Sequence, residues 1–112
     1  MTPSYVVRPK ANTDLEEQAF YYASEGSPEI GHHFLVAAHE TFTLLAMQPE
    51  IGWRRRQKHP ALKSLRIFRV SGFERIIILY RPVPNGVDIL RVIHGSRNLQ
   101  SLLRWEGLAD QE

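Results

Sequence analysis

The chain contains no cysteine, which excludes disulfide staples, thiolate nucleophiles and cysteine-ligated metal centres from its 112 residues. It also lacks any long apolar run. The longest, Phe34 to Ala38 and Ile76 to Tyr80, are far short of the roughly 20 residues that cross a bilayer. Met1 to Lys10 has no apolar centre of the kind a secretory signal needs. There is no internal repeat and no low-complexity tract, so neither a solenoid nor a disordered linker is expected. Together these absences lead to the expectation of a protein that stays in the cytoplasm and uses no membrane.

What is present is an ordinary globular composition, 43% hydrophobic and 23% charged, in a length suited to one domain spanning residues 1–112. The net charge of +2 conceals a division. Residues 1–50 carry two basic and seven acidic side chains, a balance of −5, while residues 51–112 carry twelve basic and five acidic, a balance of +7. A field of that sign in the second half favours an acidic or phosphate-bearing partner, or it is surplus solvated charge.

Along the chain, Tyr5-Val6-Val7-Arg8-Pro9 predicts a short strand ended by its proline. A helix is expected next, with Thr13 as cap, Glu16 at capping-box spacing, and Leu15, Ala19, Tyr22 and Ala23 on its apolar face. Gly26 stops it. Ser27-Pro28 starts a second helix, serine as cap and proline at the first helical position, with the stripe Ile30, Phe34, Ala37, Thr41 and Leu45 ending at Gln48-Pro49. The short connection implies an antiparallel hairpin. Beyond Pro49 an irregular connector carries Trp53 and four basic residues in five positions, Arg54, Arg55, Arg56 and Lys58.

Three strands are then predicted over 65–70, 74–81 and 87–94, joined at Ser71-Gly72-Phe73 and at Pro82 to Gly86 as a meander. Ser96 caps a short last helix bearing Leu99, Leu102 and Leu103. The fold class is α+β: an N-terminal strand, a helical hairpin packed on a mainly antiparallel sheet of about four strands, and a short C-terminal helix.

The segment Arg91-Val92-Ile93-His94-Gly95-Ser96-Arg97 places a proton-transfer group among cations where a strand ends, a usual position for functional side chains. Regular alternation puts Arg91 with Ile89 and Ile93, and His94 with Leu90 and Val92 on the opposite face, unless a bulge or the Gly95 turn intervenes. The alternative reading of Arg91 and Arg97 is pairing with acids of the hairpin, and of His94 a hydrogen bond that closes the sheet. Trp53 is expected to anchor the connector on the core, and Tyr21 and Tyr22 to pack the helix. His32, His33 and His39 lack the convergent spacing of a metal site, so no metal and no cofactor is expected.

The ordered set of Asp14-Leu15-Glu16-Glu17, Phe20-Tyr21-Tyr22-Ala23, Pro49-Glu50-Ile51-Gly52-Trp53, Leu65-Arg66-Ile67-Phe68, Tyr80-Arg81 and Arg91 to Arg97 resembles the RelE/ParE superfamily of type II toxin-antitoxin toxins. It is most similar to the ParE, plasmid-stabilisation branch, over roughly residues 5 to 104. The resemblance implies a cognate, ParD-like antitoxin that wraps the toxin in a hetero-oligomer, and DNA gyrase as a target inhibited by binding. The RelE branch implies instead a ribosome-dependent, metal-independent mRNA endoribonuclease. That chemistry would use His94 as acid or base, Arg66, Arg91 or Arg97 at the phosphate, and Tyr80 as a donor. Trp53, Arg54, Arg55, Arg56 and Lys58 are then candidates for binding antitoxin or target. A third possibility is an inactive member that only binds its antitoxin.

Overall fold

The computed structural model describes residues 2–54 and 64–95. Its elements run β1 (Ser4–Val7), α1 (Pro9–Glu25), α2 (Pro28–Met47), β2 (Arg66–Val70), β3 (Phe73–Val83) and β4 (Gly86–His94). The C-terminal helix expected after Ser96 lies outside the described residues.

Pro9 ends β1 and starts α1 at once, because its fixed φ and missing N–H suit the first helical position. The helix therefore begins four residues before Thr13, and the capping box expected there does not form. The Thr13 hydroxyl instead bonds back to the Pro9 carbonyl at 3.2 Å. The second helix starts as its sequence predicts, with Ser27 Oγ accepting from the Ile30 N–H.

The helices cover one face of a four-stranded sheet of order β1-β4-β3-β2, in which β1 runs parallel to β4 and the other pairs are antiparallel. Leu15, Phe34, Phe42 and Leu45 pack there against Val70, Ile76, Ile78, Tyr80, Ile89 and Val92. Of the expected stripe on α2, only Ile30 is exposed, since it lies over the Gly26 turn rather than the sheet. Tyr22 packs on Phe34 and Phe73 as expected, but Tyr21 is exposed, with its ring edge-on to that of Tyr22.

The strands do not alternate regularly. Leu79 pairs with Arg91 but Tyr80 pairs with Ile89, so Leu90 is an extra residue in β4. This bulge returns Val92 to the face of Ile89, under the helices, and puts Ile93 with Leu90 on the other face. The expected grouping of Ile89 with Ile93, and of Leu90 with Val92, is thus overturned. Periodicity of two is lost wherever a strand gains one residue against its partner. A second offset lies near the β2–β3 turn, where Arg69 pairs with Ile77 and Val70 with Phe73.

The face away from the hairpin carries a second cluster of Leu65, Ile67, Leu79 and Ile93, with Ile77 and Leu90 packed against it. β1 stops at Val7, opposite Ile89, so β4 continues without a strand neighbour on that side. There α1 takes over: the Asp14 carboxylate accepts the Val92 N–H at 2.9 Å.

Candidate functional site

The sequence candidates separate into three places. The first is the connector that follows α2. Arg66 and Tyr80 sit directly opposite each other on β2 and β3, and both reach back to it. The Tyr80 hydroxyl donates to the Pro49 carbonyl at 2.7 Å and accepts the Gly52 N–H at 2.9 Å. Arg66 Nη1 donates to the Gly52 carbonyl at 2.7 Å and to the Glu50 carbonyl at 3.2 Å. Trp53 then exchanges both backbone hydrogen bonds with Ile67, at 3.0 and 2.9 Å.

Gly52 permits this convergence. A Cβ there would lie 2.5 Å from the Tyr80 hydroxyl oxygen and 2.7 Å from the Ile67 carbonyl oxygen. The Trp53 backbone anchors the connector, as expected of the residue, but its indole does not enter the core. It is 44% exposed, with the Arg69 guanidinium 5.3 Å from the ring centroid and the Phe68 ring 6.4 Å away. Arg54 follows it, exposed.

Tyr80 has no exposed surface and uses its hydroxyl both as donor and as acceptor. Burial raises its pKa, assisted by Glu50 and opposed by the Gly52 N–H and Arg66. A raised folded-state pKa means that its stabilising contribution is intact below the unfolded value of 10.0 and is lost as pH rises through the folded value. Tyr80→Phe is accordingly expected to cost about 1–3 kcal/mol at neutral pH, by leaving Gly52 N–H and Pro49 C=O unpaired. Urea melts at rising alkaline pH should show a shallower fall in stability for this variant than for wild type. Parallel slopes would mean that the Tyr80 hydroxyl ionises as readily in the fold as out of it.

The second place is the junction of β4 with α1. Arg91 Nε and Nη2 donate to the two Asp14 oxygens at 2.7 and 2.9 Å, and the same carboxylate takes Val92 N–H. Arg91 is therefore paired with an acid of the hairpin, the arrangement that the charge division between the halves invites. Asp88 repeats the theme at the other end of β4, held by Arg8 at 3.0 Å and Arg81 at 3.2 Å.

The third place is a shallow cleft of about 350 Å³ at the β2–β3 turn, where His94 and Gly95 meet Arg69, Glu74, Arg75 and Ile77. Gly95 N–H bonds to the Arg75 carbonyl at 2.6 Å, and Arg69 Nε to the Glu74 carbonyl at 3.1 Å. His94 pairs with Ile76 across the ladder. Thus Arg66 and Tyr80 come together, while Arg91 and His94 each stand elsewhere. Arg55, Arg56, Lys58 and Arg97 lie outside the described residues.

Asp14, Arg69 and Arg75 were not among the sequence candidates. Asp14 had a signal: it falls beside Leu15 on the buried stripe of its helix, where a carboxylate demands a cation or a donor. Arg69 and Arg75 flank the Ser71-Gly72 turn, and that turn brings them to one cleft. Among the described residues no three His, Cys, Asp or Glu side chains are grouped to hold a metal ion. His39 instead shares a 2.9 Å hydrogen bond between its Nδ1 and the Tyr5 hydroxyl. No helix among the described residues is long and apolar enough to cross a membrane.

Comparison with known proteins bears on this architecture directly. No curated protein matches the sequence. Among solved structures, the fold is similar to a chain of the chromosomal ParDE toxin-antitoxin system from P. aeruginosa, with a TM-score of 0.66 and 19% identity, covering 83% of this chain and 96% of that one. The family model for the ParE toxin of the type II toxin-antitoxin system parDE matches residues 5–99, from the second residue of β1 through the end of β4. The chain belongs to the ParE toxin family of type II toxin-antitoxin systems.

Proposed function

We propose that this single-domain toxin inhibits DNA gyrase by binding it in the cytoplasm, without chemistry of its own, and that a cognate antitoxin neutralises it. The observation that carries this reading is the character of the sheet face turned away from the hairpin. RNA cleavage needs an acid, a base and cations arranged on one phosphate. That face is instead occupied by a buried apolar cluster of Leu65, Ile67, Leu79 and Ile93, none more than 7% exposed and none able to transfer a proton or hold a phosphate. Two further candidates are committed inside the fold, Tyr80 to the connector and Arg91 to Asp14. The ribonuclease reading rests on His94, which shares its cleft with Arg69 and Arg75.

The antitoxin surface follows from the hairpin and the sheet edge. Phe20, Tyr21, Val36 and Met47 expose apolar side chains on α1 and α2. Ser4 and Arg8 N–H groups bond toward β4, so alternation turns the backbone of Tyr5 and Val7 to the outer edge of β1. An antitoxin tail can lay a helix on the first surface and add a strand to the second, two general modes of peptide capture.

The test is a supercoiling reaction with purified gyrase, run beside a translation reaction in which the fate of ribosome-bound message is followed. Inhibition of supercoiling, relieved by antitoxin, with intact message is the expected result. Normal supercoiling with a cut message would overturn the reading and select the ribonuclease.

A further inference from the structure

We infer that Trp53 and Arg69 form the contact through which the chain grips its target, and that the occupant is an acidic protein surface with an apolar slot for one indole. The inference rests on the reading that the target is a protein, gyrase, and adds the residues that hold it.

Three features support it. First, the exposed indole stands on an immobilised backbone. Pro49, Glu50 and Gly52 are held by Tyr80 and Arg66, and Trp53 itself by its two bonds to Ile67. A fold that fixes its connector this firmly yet leaves Trp53 44% exposed presents that residue to a partner. Second, the ring carries its own cation. Arg69 lies 5.3 Å over it and donates through Nε to the Glu74 carbonyl, contacts that hold the guanidinium beside the indole and reduce what must be fixed on association. Tryptophan and arginine are also the residue types that dominate binding energy at protein interfaces.

Third, the surroundings select an acidic partner. Exposed Arg54 follows Trp53 in the chain, and exposed Arg75 stands with Arg69 across the β2–β3 turn, while exposed Ile51 extends the apolar part of the patch. Exposed Glu50 and Glu74 lie in the same patch, so Arg54, Arg69 and Arg75 leave it with a surplus of one positive charge among the described residues, the sign that steers an acidic surface. The patch is on β2, whereas the edge proposed for the antitoxin strand is β1, at the opposite side of the sheet. Target binding and antitoxin binding through that edge are therefore separable by mutation.

The experiment compares wild type, Trp53→Ala, Trp53→Phe and Arg69→Ala in gyrase supercoiling, in antitoxin binding and in binding to bare duplex DNA, with thermal melts of each. Trp53→Ala is expected to weaken gyrase inhibition about tenfold or more, and Arg69→Ala by a similar factor. Trp53→Phe keeps the backbone bridge and part of the ring and should fall between. Antitoxin affinity and cooperative melting should stay close to wild type in all three.

If wild type inhibits gyrase and Trp53→Ala inhibits it equally well, the inference fails and the gyrase reading stands. If wild type does not inhibit gyrase, the reading falls and the inference with it. Loss of duplex binding in step with loss of inhibition would overturn the protein surface as occupant and replace it with nucleic acid. Equal loss of antitoxin affinity would overturn the assignment of the patch to the target.

Discussion

Asp14→Ala unfolds about 3–5 kcal/mol more easily than wild type, the usual result of removing one member of a buried ion pair. The side chains of Arg91 and Asp14 are only 14% and 10% exposed, so water has little access to the guanidinium that the substitution leaves behind. The same carboxylate is the partner of Val92 N–H where β1 has ended, so a ladder donor is orphaned as well. Against a typical domain stability of about 5–15 kcal/mol, the effect is large enough to lower the abundance of folded protein. Urea denaturation of the purified variant measures it.

A double variant, Asp14→Leu with Arg91→Leu, separates the two contributions. It removes the guanidinium that has lost the Asp14 carboxylate in the single variant, but Val92 N–H remains without that acceptor at a cost of about 1–3 kcal/mol. The double variant is therefore expected to lie between Asp14→Ala and wild type. A loss below about 1 kcal/mol in the single variant would show that solvent replaces the carboxylate, as it does for exposed pairs.

Gly86→Ala is expected to detach β1. Gly86 has φ of +152°, outside the range L side chains readily adopt, at a cost of about 1–3 kcal/mol for any other residue. It also pairs with Ser4, and a Cβ there would overlap the Ser4 carbonyl oxygen. Overpacking of this kind adds about 1–3 kcal/mol unless the neighbour moves. The neighbour is backbone of a four-residue edge strand, held otherwise by pairing as far as Val7↔Ile89 and by contacts such as Tyr5 with His39 and Phe42. Hydrogen exchange should show the Ser4 and Arg8 amides losing protection while those of β2 and β3 keep theirs. Antitoxin affinity should fall with them, since the edge displaced is the one we propose for its strand. Unchanged protection at Ser4 would mean that β4 yields instead of β1.

Much of this architecture is legible in the residues themselves. Ser27-Pro28, Gly26 and Gln48-Pro49 mark the ends of the hairpin because capping and proline effects are local. The turns at Ser71-Gly72 and Asn85-Gly86 mark the meander for the same reason. What the sequence does not disclose depends on partners far along the chain. The extra Leu90 is defined only by what β3 sets against it, and so the faces of Arg91, Val92 and Ile93 cannot be assigned from alternation alone. Pro9 has two roles, and the helix start it provides outweighs the capping pattern at Thr13.

The candidate site shows the same division. The opposite charges of the two halves offer a hairpin acid as one of two readings of Arg91, and only the fold selects it and names Asp14. Tyr80 and Arg66 look like chemistry in a linear reading because a tyrosine and an arginine are useful groups anywhere. Only the fold brings Gly52 against them and turns both toward the connector. Trp53 is the converse: a large apolar residue is expected inside, and the Ile67 bridge instead fixes its backbone while leaving the ring outside.

Binding without chemistry makes a quantitative demand, and titration of the chain into gyrase tests it most directly by following bound fraction and supercoiling activity in the same samples. Activity should fall in proportion to occupancy, reach its floor when the sites are filled, and return when antitoxin strips the toxin away. Supercoiling that persists at full occupancy, or message cut by substoichiometric amounts of the chain and spared by His94→Ala, would contradict it.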